Sequence, residues 1–270
     1  MKKMCKPLAL LAVCLLVFVS WVIWGNVTVG LNKVTIVQSN LPDGFDGYRI
    51  AHVSDLHNSV LWEKALAKLK LASPDIICIT GDLVDSNRTD VDVALAFAAE
   101  AVKIAPCYYV PGNHEGRLQA AVYTQLLDGL NVLGVTVLED EEVFLTRSDD
   151  TISLVGRAWC QPNRVGGLSD FGGYCLLLSH HPEYFVDYVA AGYDLVLAGH
   201  IHGGQFRIPF LGGLYAPNQG LFPEYDGGLY ASGDTTMYIS RGIGNSVFPV
   251  RLNNRPEVVL ITLVSASLKA

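Results

Sequence analysis

The chain has 270 residues, of which 50% are hydrophobic and 17% charged, a balance that allows one large domain with a substantial core and argues against a disordered chain. Its formal charge is −7, and no run of Lys and Arg interleaved with aromatic residues follows the N-terminal segment. The sequence therefore lacks the charge pattern of a nucleic-acid-binding protein, and no nucleic-acid partner is expected.

The N-terminal segment predicts contact with a membrane. Three lysines precede an uncharged, strongly apolar stretch at residues 7–26, which as a helix is long enough to cross a bilayer once. The lysines favour a cytoplasmic N-terminus, and Trp21 and Trp24 suit the opposite interface. We therefore predict a single-pass anchor over residues 1–26, with the rest of the chain outside the cytoplasm. A cleaved signal peptide and a secreted protein form the alternative.

The six cysteines do not define a site, because no two of them have the CxxC spacing. Cys160 and Cys175 are the one pair considered for a disulfide in an oxidising compartment, and their redox state is left open.

The first half of the chain after the anchor alternates strands with helices. Strands are predicted at 48–53, 75–80 and 107–110, with helices at 61–71 and 91–104 between them. Each strand is followed by a polar motif, in the order Asp55-Leu56-His57, Gly81-Asp82-Leu83-Val84-Asp85 and Gly112-Asn113-His114-Glu115. The intervals of 27 and 31 residues from Asp55 to Asp82 to Asn113 match βαβ units, so the motifs should share one edge of a parallel sheet. The glycines before Asp82 and Asn113 should permit tight turns.

The second half predicts a further sheet. A hairpin is expected over 137–145 and 151–158, and short buried strands at 174–179 and 194–198 should end at His180 and Gly199. Three later segments, 229–231, 236–240 and 257–263, are also strand-like. This order favours two packed sheets with helices outside, in one domain over residues 33–270.

Five motifs in fixed order supply carboxylate, amide and imidazole groups, the last two motifs being His180-His181-Pro182 and Gly199-His200-Ile201-His202. As a set they resemble the calcineurin-like metallophosphoesterase superfamily, over nearly all of the chain from Arg49 onward. The resemblance implies an α/β fold, a four-layer αββα sandwich of two mixed β-sheets, here with an N-terminal transmembrane helix. The anchor, Gly203-Gly204-Gln205 and Arg241-Gly242-Ile243-Gly244 resemble a bacterial membrane-associated, phosphodiesterase-like branch.

The resemblance also implies two divalent metal ions per chain. Asp55, His57 and His202 match the ligands of the first metal. Asn113, His180 and His200 match those of the second, and Asp82 matches the bridging carboxylate. These donors suit manganese, zinc or iron and do not distinguish among them. In such a centre a hydroxide held by the metals attacks phosphorus.

The catalytic residues implied by the resemblance are His114, which faces the scissile phosphate, and Asp85, which hydrogen-bonds and orients it. This support is expected to favour a charged imidazole. Asn113 and His114 are also expected to contact substrate, and His181 and Arg241 are further candidates for that contact.

The substrate class depends on Ser86. Phosphoprotein phosphatases of the superfamily carry an arginine at this position, so Ser86 favours a phosphodiester or a pyrophosphate, and the anchor favours a lipid-linked or envelope molecule. The alternatives are a pyrophosphatase of the kind that cleaves UDP-2,3-diacylglucosamine, a phosphomonoesterase, and a membrane-tethered metal-binding protein without turnover. An outward-facing domain conflicts with a cytoplasmic nucleotide-sugar substrate.

Overall fold

A computed structural model describes residues 5–158, 172–245 and 248–267. Within these residues the α-helices are α1 (Cys5–Val27), α2 (Trp62–Ala72), α3 (Val91–Ala101), α4 (Ala120–Val132) and α5 (Phe185–Ala191). The strands are β1 (Gly30–Gln38), β2 (Arg49–Val53), β3 (Ile76–Thr80), β4 (Cys107–Val110), β5 (Thr136–Val137), β6 (Glu141–Arg147), β7 (Asp150–Gly156), β8 (Cys175–Leu178), β9 (Leu195–Ala198), β10 (Arg207–Ile208), β11 (Gly212–Gly213), β12 (Tyr215–Ala216), β13 (Gly220–Leu221), β14 (Gly228–Ser232), β15 (Thr235–Ile239) and β16 (Glu257–Ser265).

Two six-stranded mixed sheets form the centre of the domain. The first sheet has the order β1-β16-β2-β3-β4-β5, and the second has the order β14-β15-β9-β8-β7-β6. The strands β2, β3 and β4 are parallel, as are β7, β8 and β9. Two small hairpins, β10–β11 and β12–β13, lie outside both sheets.

The two sheets and the helices on their outer faces form four layers, and an apolar cluster fills the space between each pair of neighbouring layers. Strand β3 shows the pattern, because Ile76 and Cys78 face the second sheet while Ile77 and Ile79 face the helices. The outer layer on the first sheet contains α2, α3 and α4, and the outer layer on the second sheet contains α5. The four-layer αββα sandwich expected from the resemblance is therefore confirmed.

The segment predicted as one strand over 137–145 is divided between the two sheets. Strand β5 pairs with β4 in the first sheet, whereas β6 pairs with β7 in the second. Between them Asp140 adopts a φ of 58°, a left-handed conformation that turns the chain from one sheet to the other. Because β5 and β6 are both half-buried, apolar residues occur on both sides of this turn. The sequence therefore reads as one continuous strand and does not indicate where β5 ends and β6 begins.

The helix α1 has 23 residues, so it is about 34 Å long and can cross a bilayer. Its mean hydropathy is 2.6 over the most apolar window, and that window is not buried by the domain. Residues 28 and 29 alone separate α1 from β1. The start of β1 at Gly30 lies earlier than the boundary drawn from the sequence, which placed the domain at residue 33.

Candidate metal centre

The predicted ligands come from loops at one edge of the sandwich. Asp55, Asp82 and Asn113 follow β2, β3 and β4 of the first sheet. His180 follows β8, and both His200 and His202 follow β9 of the second sheet. Because the carboxyl ends of these parallel strands meet, side chains far apart in sequence lie within a few ångströms of one another.

Among the residues that the structure describes, four groups of side chains could hold a metal ion, and two of them match the predicted ligand sets. Asp55, His57 and His202 form the first, with all three donor atoms within 4.8 Å. The Nε2 atoms of His57 and His202 are 3.2 Å apart, and His202 Nε2 lies 3.5 Å from Asp55 Oδ1. This is the group expected for the first metal.

Asp82, His180 and His200 form the second group. Asn113 joins it, because its Oδ1 lies 3.0 Å from His180 Nε2. Asp82 Oδ2 lies 3.2 Å from His180 Nε2 and 3.4 Å from His57 Nε2. Asp82 thus stands between the two groups, as a bridging carboxylate must.

The hydrogen bonds of His180 show that this arrangement suits a cation. His180 Nδ1 lies 2.7 Å from the Thr80 carbonyl oxygen, which can only accept, so Nδ1 carries a proton. Nε2 then faces the oxygens of Asp82 and Asn113. Burial by itself would lower the pKa of His180, but the Asp82 carboxylate outweighs it and raises the pKa to about 10. The oxygens of Asp82 and Asn113 therefore stabilise a positive charge next to His180 Nε2, and a bound divalent metal ion can supply that charge.

The ionisation of the other donors also suits metal binding. Burial opposes ionisation of Asp55 and Asp82, but nearby histidines outweigh it and hold the pKa of each carboxyl below its ordinary value. Burial lowers the pKa of both His200 and His202 to about 3. His200 and His202 are therefore neutral imidazoles beside ionised carboxylates, the forms that bind metals, whereas at His57, as at His180, the carboxylates outweigh burial and raise the pKa.

Several of these residues have an uncommon backbone conformation. Five candidate ligands have positive φ values, between 47° and 73°: Asp55, His57, Asp82, His200 and His202. Non-glycine residues rarely adopt this left-handed region, and such strain concentrates at functional sites. The sequence gives no sign of it, because no glycine or asparagine marks these positions.

Glu115 fastens the two central loops of the first sheet. It is fully buried, and its carboxylate accepts three backbone N–H groups: Asp82 and Gly112 at 2.8 Å each, and Val84 at 3.0 Å. Burial raises the pKa of Glu115 to about 7, despite these bonds. Glu115 therefore supports the loops that carry Asp82 and Asn113.

The two motif glycines serve different purposes. Gly81 has a φ of 80°, the conformation expected for a tight turn. Gly112 is not among the positive-φ glycines, but a Cβ atom there would lie 2.3 Å from Asp82 Oδ1. Gly112 is therefore needed because the bridging carboxylate comes so close, and not because of its own conformation.

His114 lies beside the centre, and its closest contacts differ from those implied by the resemblance. Its Nδ1 accepts the backbone N–H of Ser86 at 3.0 Å, whereas Asp85 Oδ1 is 3.6 Å away. Asp85 instead accepts the N–H of Asn87 at 2.8 Å and thereby shapes the turn that presents the Ser86 amide. Because Nδ1 of His114 accepts a hydrogen bond, the proton of the neutral ring is on Nε2. Burial lowers the pKa of His114, which opposes the charged imidazole expected from the sequence.

The centre opens into a cavity of about 890 Å³. His114 and His181 line it, together with an apolar wall formed by Phe206, Leu214, Tyr215, Leu221 and Phe248. The sequence offered no signal for this wall, since its members come from loops and hairpins outside the five motifs.

Arg241 does not lie among the residues lining the cavity. Its guanidinium pairs with the buried carboxylate of Glu257, with Nε at 2.8 Å. The structure thus separates Arg241 from the substrate contact considered for it. Cys160, the other half of the considered disulfide, lies outside the described residues, and Cys175 is buried.

Arg251 is a buried neighbour of the centre that sequence reasoning missed. One of its Nη atoms lies 3.3 Å from His202 Nδ1, and its Nε donates to Asn245 Oδ1 at 2.8 Å. Its backbone N–H donates to the side chain of Asn26, at the end of α1, at 2.7 Å. Arg251 therefore connects the end of the apolar helix with a candidate metal ligand.

Comparison with known proteins agrees with this geometry. The family model for calcineurin-like phosphoesterases matches residues 48–204, a range that contains all seven candidate ligands. The metallophosphoesterase YkuE of Bacillus subtilis is 31% identical over 249 residues, which are 86% of this chain and 85% of YkuE. Phosphodiesterase YaeI of Escherichia coli is 30% identical over 80% of this chain and 82% of its own length. A transmembrane protein with a metallophosphoesterase domain from Danio rerio is 28% identical over 86% of this chain and 57% of that protein.

Proposed function

The chain belongs to the calcineurin-like phosphoesterase family and is a metal-dependent phosphoester hydrolase, and from that premise we propose that it cleaves a phosphodiester or pyrophosphate carried by a lipid or envelope molecule. The family is dinuclear, and the histidine and aspartate groups described above are the candidate sites of both ions. What is proposed beyond the family is the substrate class, the role of each residue and the side of the membrane.

The observation that carries the proposal is that one cavity is lined both by candidate ligands and by the apolar wall. A phosphate placed against the candidate ligands would have Phe206, Tyr215 and Phe248 beside its substituents. Apolar walls bind apolar groups, and a cavity of about 890 Å³ has room for two substituents on phosphorus. Among the described lining residues, Arg117 is the one arginine or lysine, which suits a singly charged diester better than a doubly charged monoester.

We assign Asp55, His57 and His202 to one metal ion. Asn113, His180 and His200 are assigned to the other, with Asp82 shared between the two. Two divalent ions held there would polarise the phosphoryl oxygens and lower the pKa of a water molecule enough for hydroxide to attack phosphorus. Asn113 and His181 border the space where the phosphate would sit.

His114 is assigned the proton transfer. The Ser86 N–H holds its Nδ1 as an acceptor, so the Nε2 proton can be donated to a phosphoryl oxygen or to the leaving oxygen. A neutral donor suits this role, because it binds the substrate oxygen without repelling nearby metal ions. Asp85 would act by shaping the Ser86 turn and by its charge, at 3.6 Å from the ring.

Membrane association is suggested by α1 and by relatives named as transmembrane proteins. We further propose that residues 1–26 are an uncleaved anchor, that the hydrolase domain follows from β1 at Gly30 onward, and that it faces away from the cytoplasm. The lysines before the apolar stretch support this orientation.

The test compares soluble model substrates with lipids. The full-length chain in detergent, loaded with Mn²⁺, Zn²⁺ or Fe²⁺, should hydrolyse bis(p-nitrophenyl) phosphate faster than p-nitrophenyl phosphate. It should also prefer a phospholipid diester to the same molecule without its acyl chains, because only the former occupies the apolar wall. A preference for the monoester with every metal would refute the diester assignment, and equal rates on the acylated and deacylated pair would refute the lipid assignment.

A further inference from the structure

A group of exposed apolar side chains adjoins the apolar wall of the cavity. We call it the apolar rim, and its members are Phe210, Leu211, Leu221, Phe222, Phe248 and Val250. All six are exposed large hydrophobic residues, and Phe210 at the tip of the β10–β11 hairpin is fully exposed. Leu221 and Phe248 also line the cavity, so the rim continues the apolar wall outward.

The rim is uncharged as well as apolar. From residue 208 to residue 223 the sequence contains no Asp, Glu, Lys or Arg. Soluble surfaces usually intersperse charges among exposed apolar side chains, and large uncharged apolar patches mark sites that contact a partner or a membrane. The rim therefore has the composition of a covered surface.

The rim and α1 are both connected by hydrogen bonds to one short segment, residues 248–252. The Asn26 side chain donates to the Arg251 carbonyl at 2.8 Å and accepts the Arg251 N–H at 2.7 Å. One residue further on, the Leu252 carbonyl accepts the N–H of Arg207, at the base of the β10–β11 hairpin. On the other side, the Gln205 side chain donates to the carbonyls of Phe248 and Val250 at 3.0 and 2.7 Å. The rim therefore begins where α1 joins the domain.

The junction also carries the residues typical of a bilayer surface. The Arg255 guanidinium lies 4.5 Å from the centre of the Trp24 ring, and Lys64 bonds the Val27 carbonyl. Tryptophans and cations concentrate at the level of lipid headgroups. If α1 crosses the bilayer, the headgroup region is therefore at residues 24–28, directly beside the segment that supports the rim.

From these observations we propose that the apolar rim inserts into the same bilayer surface from which α1 emerges, so that the cavity opens onto lipid. This inference rests on the membrane placement of α1 in the proposed function. The composition of the rim would also suit a second copy of the chain, but its continuity with α1 favours lipid. Lipid headgroups would then reach the metal centre by moving along the rim instead of through water.

Photocrosslinking in lipid nanodiscs tests the contact without requiring turnover. The full-length chain would carry p-benzoylphenylalanine in place of Phe210 or, as a matched control, in place of Phe144, an exposed phenylalanine on β6. After irradiation, mass spectrometry should find several-fold more acyl-chain adducts at position 210 than at position 144. Equal yields at the two positions, or cross-links from position 210 to a second copy of the chain, would overturn the proposal.

Two charge substitutions in the rim test whether lipid substrates reach the metal centre along it. The double variant Phe210→Asp, Leu211→Asp should hydrolyse soluble bis(p-nitrophenyl) phosphate at the unaltered rate, because neither residue lines the cavity. It should hydrolyse a bilayer-embedded phosphodiester several-fold more slowly, and Phe144→Asp should change neither rate. Loss of activity on lipid by both variants alike would overturn the proposal. Failure of the unaltered chain on the soluble diester would instead count against the proposed function and leave the cross-linking result standing.

Discussion

The two sheets hold their parts of the metal centre in different ways. The loops of the first sheet are fastened by a single carboxylate, because Glu115 binds the backbone of both motifs that carry Asp82 and Asn113. The histidines of the second sheet rely on groups from elsewhere: His180 on the Thr80 carbonyl and His202 on the neighbouring Arg251. The two loops that carry Asp82 and Asn113 are thus held together from within the first sheet, whereas His180 and His202 are supported by groups outside the second sheet.

Removing Asp82 should have the largest effect, because its carboxylate lies between the two ligand groups, 3.4 Å from His57 Nε2 and 3.2 Å from His180 Nε2. Asp82→Ala should abolish turnover of bis(p-nitrophenyl) phosphate and reduce the metal content, since the bridging charge is lost. Turnover and metal analysis of the purified protein would measure both. Asp92→Asn, an exposed acid in the first turn of α3, is the control and should leave both unchanged. Full metal content in Asp82→Ala would contradict the shared role.

Substitution of His114 should reduce turnover without reducing metal binding. His114→Ala should keep both metals and lose about 10²–10⁴-fold in turnover, the usual contribution of a proton donor. Asp85→Asn should lose less, because the Ser86 amide and not Asp85 makes the close contact with the ring. Steady-state kinetics with metal analysis would test the order. If His114→Ala lost its metals together with its activity, His114 would be a ligand instead.

Glu115→Gln tests the scaffold of the first half. The substitution brings an amide NH₂ group toward backbone N–H donors, so a charge-assisted bond is lost and the free energy of unfolding should fall by about 2 kcal/mol. Denaturant unfolding would measure the change against Glu100→Gln, a half-exposed acid of α3 whose ion pair with Lys103 lies at the surface. An unchanged unfolding midpoint would show that the two loops do not depend on Glu115.

Arg251→Lys should have the smallest effect, and it should be confined to the second half. A lysine cannot reproduce the several contacts of the guanidinium, so metal affinity should fall by roughly tenfold, as is usual when a group supporting a ligand is lost. Arg49→Lys is the control, because Arg49 also bonds a backbone carbonyl but lies at the start of β2. Titration of the metal-free protein with Mn²⁺ would measure both, and equal losses in the two variants would contradict the specific role of Arg251.

The sequence predicted the layers and brought the seven candidate ligands together because both depend on local patterns. Strand length, helix period and the polar residue after each strand are all visible within a few residues, as at Asp55 and Asp82. The supporting residues depend instead on distant contacts. Glu115 meets Asp82 from 33 positions away, and Arg251 reaches His202 across 49. No local pattern reports such distances, and for the same reason the Ser86 amide contact with His114 was not foreseen.

The absence of a spacer between α1 and β1 decides where the protein can be shortened. A soluble version beginning at residue 33 would remove Gly30, Leu31 and Asn32 from β1, which pairs with β16 in parallel along its whole length. It would also remove Asn26, whose side chain completes the hydrogen bonds of the Arg251 backbone. A version beginning at Asn26 keeps both and discards nearly all of the apolar helix, so it is the form of this hydrolase best suited to crystallisation.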